Sequence, residues 1–547
     1  MDNTVTINDL ELIIEQLQAE NAALKAELSE VKANNSWLME LISSSRRKRF
    51  GVSSEKTVYD GLTVQLSYEM DEPEGLVVIH GENVEPEIQA EKPARARPKK
   101  QGEMSTRLPP GMPVEIVECM LPDDAMKNEN GETLHPIGKE LVRRELDIIP
   151  PKATIIEIWR TSYASRENEL NGETVSIVKA PLPEQVIKGS MCTPATAAYI
   201  IYQKCVMGAP IYRQWQDWKR QGIPIEKQTM INWVIRCSED YFEPIYDELH
   251  RKIVKEKFLN SDGTTWQVLR EPGKTPQSES CIWQYRTGSG AEHPIILFEY
   301  QPDKKQERPK AFLEGFAGYL TTDGSSSYNG LPPGIILTGC FSHVNHHFTD
   351  ALRCLNESDR PGSLAFIGKN FVKEIFDIER SIKDMTFEER FKIRNEKAAP
   401  VLDAFHKWLK SKEPYIAAKS KIGKAINYAL NQWERLIQYL NDGHIECSNN
   451  IAEVSFKTLV VNRKNFLFAT SVAGARATAV LHSITETAKA SNLDPFKYMS
   501  FVLRTAAGKK IRTDPVLIET LLPENAPQSC WRLSSQKNSD KTGNLPR

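Results

Sequence analysis

The 547-residue chain contains no run of about 20 apolar residues, and its first residues lack the apolar stretch of a signal peptide. These two absences give the expectation of a soluble, cytoplasmic protein with no membrane partner. It also lacks any C-x-x-C pair. Its nine cysteines (119, 192, 205, 237, 281, 340, 354, 447 and 530) are an odd, scattered set, which reads as reduced thiols rather than a disulfide framework. Structural zinc takes four Cys or His ligands, so the missing pairs lead to an expectation of no zinc. Strong net charge is absent too: the formal balance is −2, and acidic segments offset any basic surface.

Against these absences stands the stretch 318–330, GYLTTDGSSSYNG. Its alternation up to Asp323, followed by Gly324 and three serines, reads as a strand ending at a carboxylate. By itself Asp323 is either a turn residue satisfying nearby N–H groups or a group placed for chemistry. A similar apolar run reaches Asp262-Gly263 in FLNSDGTTWQVL, and a third acid, Glu453, opens a helix after Asn449-Asn450. Hard divalent cations are held by such carboxylates, and two ions about 3.5–4 Å apart can activate an attacking hydroxyl and stabilise a leaving oxygen of a phosphodiester.

The segments GYLTTDGSSSYNGL, CFSH (340–343), HIECSNNIAEVSFK (444–457) and NRKNFLFATSVAGARATAVLHSITETAK (462–489) resemble transposases of the insertion-sequence-66 family, a DDE group. The resemblance implies an α/β core, a ribonuclease H-like mixed sheet, with catalytic and metal-holding residues Asp262, Asp323 and Glu453. It implies two Mg²⁺ or Mn²⁺ ions, and cleavage of element ends followed by strand transfer into target DNA. The alternatives are a structure-specific nuclease and a non-catalytic DNA-binding descendant. Two departures from the family pattern stand out. Val454 stands where Arg usually follows the helix acid, and Asn345, His346 and His347 stand where basic residues usually follow the motif's His.

Eight regions are expected. Residues 1–50 carry a heptad with Leu10, Leu17, Leu24, Val31 and Leu38 at d and Asn21 and Asn35 among the a positions, ending in a basic cluster at 46–49. This reads as a coiled coil forming a homodimer or higher oligomer, the alternative being a helix packed on its own domain. Residues 51–110 hold eight acids between 69 and 91 and then six basic residues between 92 and 107, a disordered charged linker. A small β-rich module is expected at 111–185, where the family commonly has a zinc-binding module and only Cys119 remains.

Residues 186–250 are expected to be helical, with segments 209–220 and 226–237 flanking a Gln-Gly-Ile-Pro turn of helix-turn-helix length. There Arg213, Lys219 and Arg220 would meet phosphates and Gln228 and Asn232 base edges, unless the pair is a purely structural layer. The core would occupy 251–347 and 444–505, with strands at 258–269, 282–286, 295–300, 318–323 and 335–340, the first and fourth being neighbours. Between them, 348–443 is a large helical insertion, with fourteen Lys or Arg against nine acids between 369 and 424. Its last helix is expected over 421–441.

Near the acids, His343, Asn449, Lys457, Arg463, Lys464 and Arg476 complete the expected DNA-contact set. His343 has a plainer alternative as a core histidine. Glu453 has one as well: a capping box with Asn450 and an ion pair with Lys457. The tail, 506–547, is expected to be disordered. Element ends, target DNA and companion proteins of the element are the expected partners.

Overall fold

The computed structural model describes residues 153–163 and 178–532. The heptad, the charged linker and most of the β-rich module lie outside the described residues. Of that module, two short antiparallel strands are described, β1 (Ser162–Tyr163) and β2 (Val178–Lys179).

Four helices come next: α1 (Pro194–Cys205), α2 (Ile211–Arg220), α3 (Lys227–Cys237) and α4 (Glu243–Ile253). Thr193 caps α1 by accepting from the Thr196 N–H, and Pro194 occupies its first turn, where a missing N–H costs nothing. Between α2 and α3 the chain turns at Gly222, whose φ of 79° favours glycine.

The central sheet contains β3 (Phe258–Arg270), β4 (Glu279–Thr287), β5 (Ile296–Gln301), β6 (Gly318–Thr321) and β7 (Ile335–Thr338), with the short helix α5 (Glu307–Phe312) before β6. Its order is β5-β4-β3-β6-β7, antiparallel on the β5 side of β3 and parallel on the β7 side. Leu259 stands opposite Leu320, so the first and fourth strands are neighbours. Gly318 allows this approach, because a Cβ there would stand 2.3 Å from the Lys257 carbonyl oxygen.

Period-two alternation builds two cores on opposite faces. Cys281, Trp283, Tyr285 and Leu297 point to one face, with Ile245, Leu249 and Ile253 of α4. Trp266, Val268, Ile282 and Phe298 point to the other, with Phe456 and Leu459 of α12 (Asn450–Phe466) and Ala475 and Ala479 of α13 (Val472–Ala490). An α/β core with helices on both faces results. A strand β8 (Ala469–Ser471) joins α12 to α13 and pairs with the far end of β3. Residues 478–488 of α13 are all buried, as befits a helix touched on every side.

Between β7 and α12 lie α6 (Phe341–Arg353), α7 (Leu364–Ser381), α8 (Phe387–Ile393), α9 (Ala399–Lys412), α10 (Lys421–Asn431) and α11 (Trp433–Leu436). All but α8 share a cluster centred on Phe348, Val372, Phe405, Ile426 and Trp433. The helix expected over 421–441 is broken after Asn431. Arg394, 2% exposed, takes the carbonyls of Tyr439, Asp442 and Ile445 and pairs with Glu379 at 2.7 Å. Those carbonyls therefore face a guanidinium instead of continuing a helical ladder.

The expected disorder from 506 does not hold for 507–532. After α14 (Pro495–Ala506), helix α15 (Pro515–Leu521) buries Leu517, Ile518 and Leu521 in the first core. Tyr498 donates to the Leu521 carbonyl at 2.7 Å, and Lys252 pairs with Glu519 and Glu524. Apolar residues too sparse to show a period still suffice when an existing core receives them.

Candidate active site

Three elements supply the three acids. Asp262 lies within β3, Asp323 two residues past the end of β6, and Glu453 in the first turn of α12. All three are half-buried. Asp262 Oδ1 accepts from the Gly263 N–H at 2.7 Å and Asp323 Oδ1 from the Ser325 N–H at 2.9 Å. For Asp323 the turn reading holds: one carboxylate oxygen fixes the loop. Gly324, with φ of 84°, makes that turn. Tyr428 of α10 donates to the Asp323 carbonyl at 2.8 Å and holds the loop from the insertion side.

The charges of Asp323 and Glu453 both act on Asp262. Burial, then the negative charge of Asp323, pushes the Asp262 carboxyl up to about 7; Glu453 adds to the rise, while the Gly263 N–H and His343 oppose it. Carboxylates crowded in this way are relieved by a cation, and three oxygen donors suit hard divalent ions. The donor set therefore fits Mg²⁺ or Mn²⁺.

His343, in the first turn of α6, faces Glu453, with Nδ1 4.0 Å from Oε1. Burial disfavours its charge, but the Cys340 sulfur and the carboxylates of Glu453 and Asp323 outweigh that and push the imidazole up to about 10. The core-histidine reading is set aside by this placement. The plainer reading of Glu453 fails as well. Asn449, not Asn450, is the N-cap residue and makes no side-chain cap, Asn450 accepts from Ser342, and the ion pair of Glu453 is with His343.

Asn449 is a correction to the DNA-contact set. It is fully buried, its amide donating to the Ser261 carbonyl at 3.0 Å and accepting from Asn260 at 3.2 Å. It thus has no surface for DNA and instead joins α12 to β3. Arg463 is also committed: it bonds Thr264 and the Thr265 carbonyl, and its charge is partly desolvated. Arg476 pairs with Glu243 at 2.5 Å, which Arg512 shares, and not with the acids. Lys457 and Lys464 are exposed on α12, and so is Val454.

On the helix pair, Arg213, Lys219, Arg220, Gln228 and Asn232 are all exposed. Gln228 donates to Asn232 at 3.0 Å, so the two amides lie on one face of α3. Arg220 pairs with Asp217.

The sequence reading missed several supports. Arg286 reaches the Ile451 carbonyl and Ser455 of α12, and Gln284 reaches Ser455 at 2.5 Å. Tyr328 meets Ser261 at 2.9 Å. Nothing local marks such residues; only Cys340, three residues before His343, carried a motif signal.

Among the described residues no helix is long and apolar enough to cross a membrane. Residues 189–477, which contain all three acids, match the family model described as Transposase IS66 family. Residues 37–117 match one described as Transposase C of IS166 homeodomain. The uncharacterized protein y4jD of Sinorhizobium fredii is 31% identical over 405 residues, covering 72% of this chain and 76% of its own length. The uncharacterized protein y4qI of the same organism is 26% identical over 524 residues, covering 93% and 92%. A family match spanning the sheet, the helical layer and the helix of the third acid has one consequence: the chain belongs to the IS66 family of transposases.

Proposed function

We propose that this chain is a DDE-type DNA transposase with a ribonuclease H-like core, in which Asp262, Asp323 and Glu453 cleave element ends and join them to target DNA. The observation that carries this is the convergence of three carboxylates from β3, the loop after β6 and the start of α12, felt at Asp262 as a raised pKa. The neighbouring parallel pair β3 and β6 supports the ribonuclease H-like reading.

These three residues would hold Mg²⁺ or Mn²⁺, which when bound supplies activation of the attacking oxygen and stabilisation of the leaving one. The chain's own part is positioning. Asn449 sets α12 against β3, Tyr428 fixes the loop of Asp323, and His343 orients Glu453. Lys457 and Lys464 line the exposed face of α12 for phosphate contact. Arg213, Lys219 and Arg220 serve phosphates on the helix pair, where Gln228 and Asn232 read base edges. The chain works as a homodimer or higher oligomer through the heptad, in the cytoplasm.

The test is Asp323→Asn, which removes charge but little volume. With DNA carrying the element's ends and Mg²⁺ or Mn²⁺, cleavage should disappear while DNA binding stays close to that of the unaltered chain. Undiminished cleavage would remove the assignment. A chain that binds the ends and never cuts them would be the non-catalytic DNA-binding protein.

A further inference from the structure

We propose that Cys340, His343 and Glu453 form a second metal site, for a borderline-soft divalent cation of the zinc class. Their ligand atoms all lie within 4.8 Å of one another. Cys340 is the residue that leads into α6 and His343 lies in the first turn of that helix, so two donors three residues apart face one point; Glu453 comes from the first turn of α12. His343 Nδ1 is shielded from solvent, has no hydrogen-bond partner and stands 4.0 Å from Glu453 Oε1, so a cation that replaces the imidazole's extra proton would meet both groups. The Cys340 sulfur accepts the Asn449 N–H at 3.0 Å, the kind of outer contact that metal-bound sulfur makes.

The donor chemistry selects the ion. One sulfur, one imidazole and one carboxylate suit zinc, whereas magnesium takes oxygen alone. Zinc ligands about 2.0–2.3 Å from the ion stand roughly 3.5 Å from one another. The three ligand atoms, within 4.8 Å of one another, lie near that spacing, and Glu453, 38% exposed, is the ligand least held by packing. Three protein ligands leave a fourth position for a non-protein ligand.

The expectation of no zinc came from absent C-x-x-C pairs, and this site uses no such pair. Glu453 belongs to both sets. An ion held by Cys340 and His343 therefore draws Glu453 away from Asp262 and Asp323; that consequence rests on the proposed function, whereas the site itself does not.

The experiment titrates the full chain with Co²⁺, a visible stand-in for Zn²⁺. One equivalent should bind with a thiolate-to-cobalt charge-transfer band, and Zn²⁺ should displace it. Cys340→Ser should abolish the band. Since Cys340 is buried, His343→Gln provides the check at a half-exposed position, and should weaken binding by more than about 100-fold, beyond the roughly 10–100-fold lost with an outer-shell contact. The double variant Asp262→Asn with Asp323→Asn should keep the band. Absence of the band, its survival in Cys340→Ser, unchanged affinity in His343→Gln, or its loss in the double variant would each overturn the site. Failure of Mn²⁺-dependent cleavage with the cobalt band intact would remove the transposase reading and leave the site standing.

Discussion

Asn449, the residue leading into α12, donates its side-chain amide to the carbonyl of Ser261 at 3.0 Å, directly beside Asp262. Its backbone N–H meets Cys340 and its carbonyl accepts the Glu453 N–H at 3.1 Å. One buried amide thus couples the strand of the first acid to the helix of the third.

Replacing Asn449 by Ala leaves the Asn260 amide and Ser261 carbonyl unsatisfied. Each buried orphan costs about 1–3 kcal/mol. Urea unfolding should show a loss in that range, and cleavage should fall further than DNA binding because Glu453 loses its anchor. Unchanged stability and cleavage would contradict the coupling.

Asp262 gives the pH dependence. Its carboxyl, raised to about 7, holds a proton in the folded chain between its ordinary value and about 7, where the unfolded chain has lost it. The folded state then binds more protons, so the stability of the metal-free protein falls as pH rises across that window. A cation requires the carboxylate, so Mn²⁺ affinity rises with pH up to about 7 and then levels. Calorimetry between pH 5.5 and 8, values chosen to bracket about 7, should show both slopes in the unaltered chain and their reduction in Asp262→Asn.

Arg394 should be a stability centre of the helical layer. Its guanidinium satisfies Glu379 and three carbonyls while 2% exposed. Arg394→Met leaves Glu379 and those carbonyls without their donor, a loss of about 3–5 kcal/mol by analogy with broken buried pairs. Lys cannot match the fork, so Arg394→Lys should recover only part of it. Denaturant midpoints of the two variants check the order.

The helix pair and the insertion should differ in what they contribute to DNA binding. Gln228→Ala with Asn232→Ala removes the proposed base-edge contacts, each good pair being worth about 1–3 kcal/mol of discrimination. Preference for element ends should drop while total affinity changes less. Replacing the exposed Lys419, Lys421 and Lys424 by Ala should weaken binding to every sequence and flatten its salt dependence. Competition binding at several salt concentrations separates the two, and full retention of end preference in the Gln228 and Asn232 variant would exclude α3 as the reader.

Strands and helices of the core were legible because burial imposes a period. Trp283 and Tyr285 alternate with Ile282 and Gln284 in β4, and the sequence shows that alternation directly. The three acids were singled out through short motifs and a family resemblance, and the structure places them on β3, after β6 and at the start of α12. The break after Asn431 was not, and neither was the tie from Arg394 to the carbonyls of Tyr439, Asp442 and Ile445, which comes from far away in the chain. Nor was the ordered segment 507–532, whose few apolar residues find partners only in a core built earlier.

By itself, then, the sequence determined which segments alternate and where turns and glycines interrupt them, because each depends on neighbours along the chain. Only the tertiary structure decided what each polar group does. Asn449 became an internal tie, Arg463 and Arg476 were taken up by Thr265 and Glu243, and Cys340 and His343 were brought to Glu453. A side chain's chemistry is set by the donors, acceptors and charges within a few ångströms, and those come from segments that the linear order keeps apart.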